Sequence, residues 1–263
     1  MLNCYRSNFA HRFEGMLAYK EAMGYSRSTF IGNLSLFDRF CASHFPLEQG
    51  LTQELVMAWA RKKDSESANG LKRRLSTIRE FGRYLQSIGE PSYILPAKMT
   101  GAQKQCTPYI FTDKELSAFF TGADNLCNTR GDPLISYVVP VIFRLIYSCG
   151  LRPGEARVLL TDDVNLESGR VLIRQSKRHK DRVVMLSDDM LFLCRKYVIV
   201  RNAYQPNSHY LFPGKGDEPC SMPWLAYQFK RCWKLAGIIF TKGSAPRIYD
   251  LRHPYVKPAT KNI

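Results

Sequence analysis

The chain has 263 residues, 45% of them hydrophobic and 23% charged, with 38 Lys and Arg against 23 Asp and Glu for a formal net charge of +15. That length holds one large domain or two smaller ones with real apolar cores, and the basic excess favours a polyanionic partner, because each cation placed on a nucleic-acid phosphate releases a condensed counterion. Composition argues against a disulfide scaffold, a zinc ribbon and a membrane-spanning chain. Eight scattered cysteines form no CxxC pair, residues 1–6 lack a signal-peptide apolar core, and the longest apolar run is broken by Pro140 and ends at Arg144. A cytoplasmic protein with buried free thiols is expected.

The first hundred residues read as helices. Phe9, Phe13, Met16 and Leu17 follow helical spacing, with Gly24 as a stop, and Phe30, Leu34, Phe37 and Cys41 form a second pattern. A third helix opens at Thr52, a good N-cap, and buries Leu55, Val56 and Trp59. A fourth runs from about Ala68 to Ile88 with Leu71, Leu75, Ile78, Phe81 and Leu85 on one face. Lys72, Arg73, Arg74 and Arg79 belong to a basic crowd on the third and fourth helices that only Asp64, Glu66 and Glu80 answer locally. Such a crowd is either a solvated face or a helix laid along a DNA backbone.

Residues 93–107 read as a linker, with few apolar positions, prolines and no period. This divides the chain into a helical domain at 1–92 and a second domain at 108–263. The second domain opens on the capping box Thr112-Asp113-Lys114-Glu115. A long apolar helix follows at about 133–149. From Gly169 the period changes to two, so Arg170–Arg174 and Arg182–Leu186 read as a hairpin around a basic turn. Helices resume at about 188–200 and 223–236, the latter behind Ser221 as N-cap. The plan is mainly α, with one small antiparallel β-sheet in the second half.

Three short motifs carry chemistry. Arg152 lies in Cys149-Gly150-Leu151-Arg152-Pro153-Gly154-Glu155, directly after the apolar helix. Arg252 lies in Tyr249-Asp250-Leu251-Arg252-His253. Lys177 and Lys180 lie on the hairpin turn between them. Two guanidiniums and an ammonium suit one phosphodiester. Arginine is always charged, its fork grips two oxygens, and preorganised donors stabilise the charge that develops on the non-bridging oxygens. A lysine can protonate the leaving oxygen. No Walker loop, HExxH or nuclease-type carboxylate pair is present, and no cofactor or metal is expected.

The order and spacing of these motifs behind a basic helical domain resemble the tyrosine recombinases, the phage-integrase family, over nearly the whole chain. The resemblance implies an amino-terminal core-binding, SAM-like helical domain and an α-rich catalytic domain with a small sheet. It implies double-stranded DNA as partner, a homo-oligomer on that DNA, and strand cleavage and rejoining through a phosphotyrosine. By resemblance, Arg152 is the first catalytic arginine with Glu155 its structural companion, Arg252 is the second arginine, and Lys177 is the hairpin lysine with Lys180 as its rival. Lys72, Arg73, Arg74, Arg79, Lys180 and His253 are the expected DNA contacts.

Two positions depart from the family pattern. Tyr249 stands where the family has histidine; its phenol either bonds a phosphate oxygen or packs beside the site. Beyond Arg252 the sequence offers 11 residues, with Tyr255 its single tyrosine. Tyr255 lies about one helical turn from Arg252, whereas the family's nucleophile follows several turns later. The chain is therefore expected to lack the nucleophile and to bind duplex DNA without cleaving it. The alternative is a non-catalytic DNA-binding accessory or competitor protein with the same fold. RNA binding is a weaker reading, for want of an RNP-type aromatic strand or a GXXG clamp.

Overall fold

The computed structural model describes residues 5–100, 107–126, 133–176, 180–238 and 245–256, with the side chains at 100, 175, 176 and 253–256 outside that description. The chain divides into two compact units, Met1–Gln105 and Cys106–Ile263.

The first unit contains α1 (Ala10–Ala22), α2 (Ser28–His44), α3 (Gln53–Ala60) and α4 (Ala68–Ser87), followed by a 3-10 turn at Ala97–Thr100. Local chemistry sets the boundaries. Gly24 takes φ +82°, which ends α1 in a conformation costly for any residue with a Cβ. The hydroxyls of Thr52 and Ser67 accept the backbone N–H groups of Leu55 (3.4 Å) and Gly70 (3.0 Å) and so cap α3 and α4. The core is aromatic. Phe9, Phe13, Phe37 and Phe81 are fully buried, with the Phe13 and Phe81 rings 4.7 Å apart, and Trp59 packs on Phe37.

The segment from Tyr93 to Thr100, read from sequence as linker, packs onto this unit instead. Leu95 is 1% exposed, the Tyr93 N–H donates to the Leu51 carbonyl (2.7 Å), and the Arg79 guanidinium bonds the carbonyls of Leu95 (2.8 Å) and Pro96 (3.1 Å). One buried leucine and an arginine satisfying two carbonyls hold a stretch that has no period of its own.

The second unit is built around α6 (Ile135–Ser148), whose residues from Val138 to Phe143 are all buried. Against it lie α5 (Asp113–Asp124), α8 (Asp188–Tyr204) and a 3-10 helix at Ile248–Val256, with α9 (Met222–Leu235) on α5 and the short α7 (Pro153–Arg157) following α6. The capping box forms as expected: the Glu115 N–H donates to the Thr112 hydroxyl (3.2 Å), and the Thr112 N–H to the Glu115 carboxylate (2.8 Å). The sheet is a pair of antiparallel strands, β1 (Arg170–Ser176) and β2 (Lys180–Met185), in register Arg170↔Met185 and Ile173↔Arg182. Val171 and Ile173 turn into the core, so the alternation read from sequence is the burial pattern of the strand. β2 begins at Lys180, two residues earlier than expected, and α8 continues to Tyr204.

Candidate active site

The chain leaves α6 through Gly150 at φ +59° and turns at Arg152, whose extended backbone (φ −70°, ψ 143°) precedes α7. Leu151 is fully buried, so the turn is anchored in the core and Arg152 is left facing outward. Pro153 opens α7, where a missing N–H does no harm. One turn later Glu155 folds back. It accepts the Arg152 N–H (2.8 Å) on one oxygen and the Arg152 guanidinium (2.6 Å) on the other.

Glu155 has a second partner. From β2, Arg182 grips the same carboxylate with both arms, Nη1 to Oε1 at 3.0 Å and Nη2 to Oε2 at 2.7 Å. The carboxyl is 10% exposed. Burial works against its charge, but the hydrogen bonds from Arg182 and from the Arg152 backbone and side chain outweigh it, and the pKa falls from 4.5 to about 2. Glu155 is thus a fixed anion shared between two guanidiniums.

Arg252 comes to the same place from the far end of the unit. Within the 3-10 helix, Ile248, Asp250 and Leu251 are buried, and Asp250 accepts the N–H (2.8 Å) and guanidinium (3.0 Å) of Arg247, which fixes the start of the turn. Tyr249 and Arg252, three residues apart and so on one side of a 3-10 helix, remain outside the core; Tyr249 is 48% exposed. The Arg252 pKa is lowered by burial first, then by the positive charge of Arg152, with Glu155 acting in the opposite sense and Arg182 adding to the repulsion. Arg152, Arg182 and Arg252 therefore share one electrostatic field around a single carboxylate. Three guanidiniums gathered at this place make it a setting of concentrated positive charge, which favours an anion.

Sequence reading did not single out Arg182. The available signal was the strand period: Arg182 shares the inward face of β2 with Val184 and pairs in register with buried Ile173. Lys180 is exposed at the start of β2, opposite Ser176. Lys177 and the side chain of His253 lie outside the described residues.

In the first unit the basic residues divide. Arg73 is exposed, and Lys72 is half-buried. Arg74, expected among the DNA contacts, is 5% exposed and is instead a structural residue: it takes both oxygens of Glu66 (2.8 Å each), the carbonyls of Trp59 and Arg61, and stacks its guanidinium 4.5 Å from the Trp59 ring centroid. Its fork ties α4 to the end of α3, because those carbonyls have no helical partner. Arg79 likewise serves the carbonyls of residues 95 and 96. Among the described residues, no cluster of three or more His, Cys, Asp or Glu could hold a metal ion, and no helix is long and apolar enough to cross a membrane.

The chain is similar to known proteins. The integrase/recombinase-named protein y4rB of Sinorhizobium fredii is 27% identical over 213 residues, covering 78% of this chain and 67% of that protein. Among solved structures, the XerH site-specific recombinase bound to its difH substrate has a TM-score of 0.63 at 20% identity, covering 86% of this chain and 66% of that one. A lambda integrase tetramer bound to a Holliday junction has a TM-score of 0.63 at 18% identity, covering 95% and 69%. In each case this chain spans about two thirds of the other's length. The mainly helical fold with its two-stranded sheet is that of these recombinases. The motif order Arg152, hairpin, Arg252 falls within residues 112–256, which match the phage integrase family over more than half of the sequence, and the chain belongs to that family.

Proposed function

We propose that the chain is a tyrosine-type site-specific recombinase or integrase acting on double-stranded DNA. The observation that carries the reading is that Arg152 and Arg252, 100 positions apart in sequence, share one cationic cluster with Arg182 and Glu155. In this reading Arg152 and Arg252 clamp the non-bridging oxygens of the scissile phosphate. A tyrosine oxygen attacks phosphorus, the bond to the 5′ oxygen breaks, and Lys177 supplies the proton that oxygen needs. Tyr249, exposed on the same side of the 3-10 helix as Arg252, donates its phenol to a phosphate oxygen. Lys72, Arg73, Lys180 and His253 contact the DNA backbone. Assembly of several copies on DNA agrees with the tetramer that lambda integrase forms on a Holliday junction.

The finer reading concerns the 263-residue polypeptide itself. It holds duplex DNA and does not cleave it: Tyr255 stands only three residues beyond Arg252, and no other tyrosine follows within these residues. Mixing the polypeptide with a nicked suicide duplex tests both statements. Salt-sensitive binding with no covalent adduct is expected. A covalent protein–DNA adduct would refute the finer reading, and failure to bind duplex at low salt would refute the broader one. Parallel titrations with duplex RNA decide between nucleic acids: equal affinity at every salt concentration counts against a DNA enzyme.

A further inference from the structure

We infer that Arg182 is a positioning residue for the phosphate clamp: by holding both oxygens of Glu155 it makes Glu155 aim Arg152 rather than capture it. The inference rests on the proposed phosphate-clamping role of Arg152.

The geometry is a shared carboxylate with a division of labour. Arg182 gives each oxygen one bond, at 3.0 and 2.7 Å. Arg152 gives Oε1 one bond from Nη1 at 2.6 Å and Oε2 one from its own backbone N–H at 2.8 Å. From these two arginines Glu155 receives two bonds on each oxygen, all from fixed directions. The carboxylate plane is set by the Arg182 fork, and a backbone N–H locks it against rotation. Arg152 meets that plane with one nitrogen, an end-on contact that orients the guanidinium. Without Arg182 the nearly buried anion would lose its bidentate partner, and the Arg152 fork, already bonded to it through one nitrogen, would be drawn to take that place. The residue meant to grip a phosphate would then close on its own neighbour.

The same pair links elements. Arg182 is on β2, the return strand of the basic hairpin, and Glu155 is on α7 directly after Arg152. Ile173, opposite Arg182 in the sheet, is 1% exposed, so the strand is anchored behind the pair. Sequence places Lys177 five residues before Arg182 on this hairpin. Arg182 therefore fastens the hairpin strand to the turn that carries Arg152.

The test uses the 263-residue chain in four forms: wild type, R152M, R182M and the double variant R152M/R182M, with R182K as a fifth. Duplex DNA affinity is measured across a salt series. R182M and R152M are each expected to weaken binding about tenfold, the worth of a lost charge-assisted hydrogen bond, and the double variant to be no weaker than R152M. A double variant weaker by the product of the two single effects would overturn the inference, since Arg182 would then contact DNA on its own. R182K keeps the charge and lacks the fork, so it is expected to fold and to lose most of what R182M loses; wild-type affinity in R182K would reduce Arg182 to a bulk charge and overturn the inference. A second readout needs no DNA. The Arg152 Nε–Hε resonance, identified by its loss in R152K, is expected to be sharp in wild type and exchange-broadened in R182K. If wild type fails to bind duplex, the proposed function fails, and this resonance alone decides the positioning role: an unchanged signal in R182K overturns it.

Discussion

Arg152 and Arg252, 100 positions apart in sequence, lie close enough that the charge of the first, after burial, lowers the pKa of the second. Like charges brought together by a fold cost stability, and an arginine does not escape by losing its proton at ordinary pH. The two charges are held together by a core that includes Leu151 and Leu251, both fully buried beside the two arginines, as the proposed phosphate clamp requires.

Relief of that repulsion is measurable. R252Q is expected to raise the thermal midpoint by about 2 °C while lowering duplex DNA affinity about tenfold. Calorimetry and a binding titration on the same preparation check the pair of effects. A variant that loses both stability and binding would mean that Arg252 serves the core.

Acid should loosen the second unit through Glu155. Its folded pKa is depressed to about 2 from 4.5, so its stabilisation is complete above 4.5 and is lost as pH falls from 4.5 through about 2. E155Q is expected to cost about 3 kcal/mol at pH 7, and the gap to wild type should close by pH 2. Denaturant unfolding at several pH values reads this directly; a gap that stays constant with pH would show that charge is not the cause.

Neighbouring arginines on α4 should behave oppositely. R74M strands Glu66 and uncaps the end of α3, and is expected to cost about 3 kcal/mol of first-unit stability. R73A is expected to change stability by less than about 0.5 kcal/mol, yet to reduce the salt slope of DNA binding by about one. Urea unfolding and salt-dependent binding of the two variants separate the roles.

Gly122 on α5 lies tight against the carboxy-terminal end of α9. A methyl group there would sit 2.7 Å from the Cys232 carbonyl oxygen and 3.1 Å from the Ala236 nitrogen, both backbone atoms that cannot swing away. Overpacking of this kind costs about 1–3 kcal/mol, against a helix-propensity gain of about 1 kcal/mol, so G122A should be destabilising by about 1 kcal/mol. A raised thermal midpoint would show that the two helices can separate freely.

Thiol chemistry offers a check on the cores. Cys41, Cys194 and Cys232 are buried, and burial pushes each thiol up to about 12. They are expected to resist a thiol reagent at pH 8 in the native chain and to react at once in denaturant. Mass mapping of rapid native labelling to these three residues would contradict the packing.

What the sequence determined alone is what depends on near neighbours. Helix starts at Thr52, Thr112 and Ser221 are legible because a cap joins residues three apart, and the sheet is legible because its period of two is written along ten or so residues. The order of the arginine motifs was equally readable, and with it the family. Tertiary structure decided which charges serve the fold and which face outward. Arg74 looked like one more cation on a basic helix until the loose carbonyls of Trp59 and Arg61 met it in the interior. Residues 93–100 looked like linker until Arg79 and the Leu95 side chain held them. Arg182 looked like no more than the first residue of a strand until β2 brought it to Glu155, 27 positions away. A guanidinium reads the same in sequence whether its partner is water, a carbonyl or a phosphate. Only packing across long separations chooses the partner, because desolvation and hydrogen-bond geometry are settled by groups that are distant along the chain.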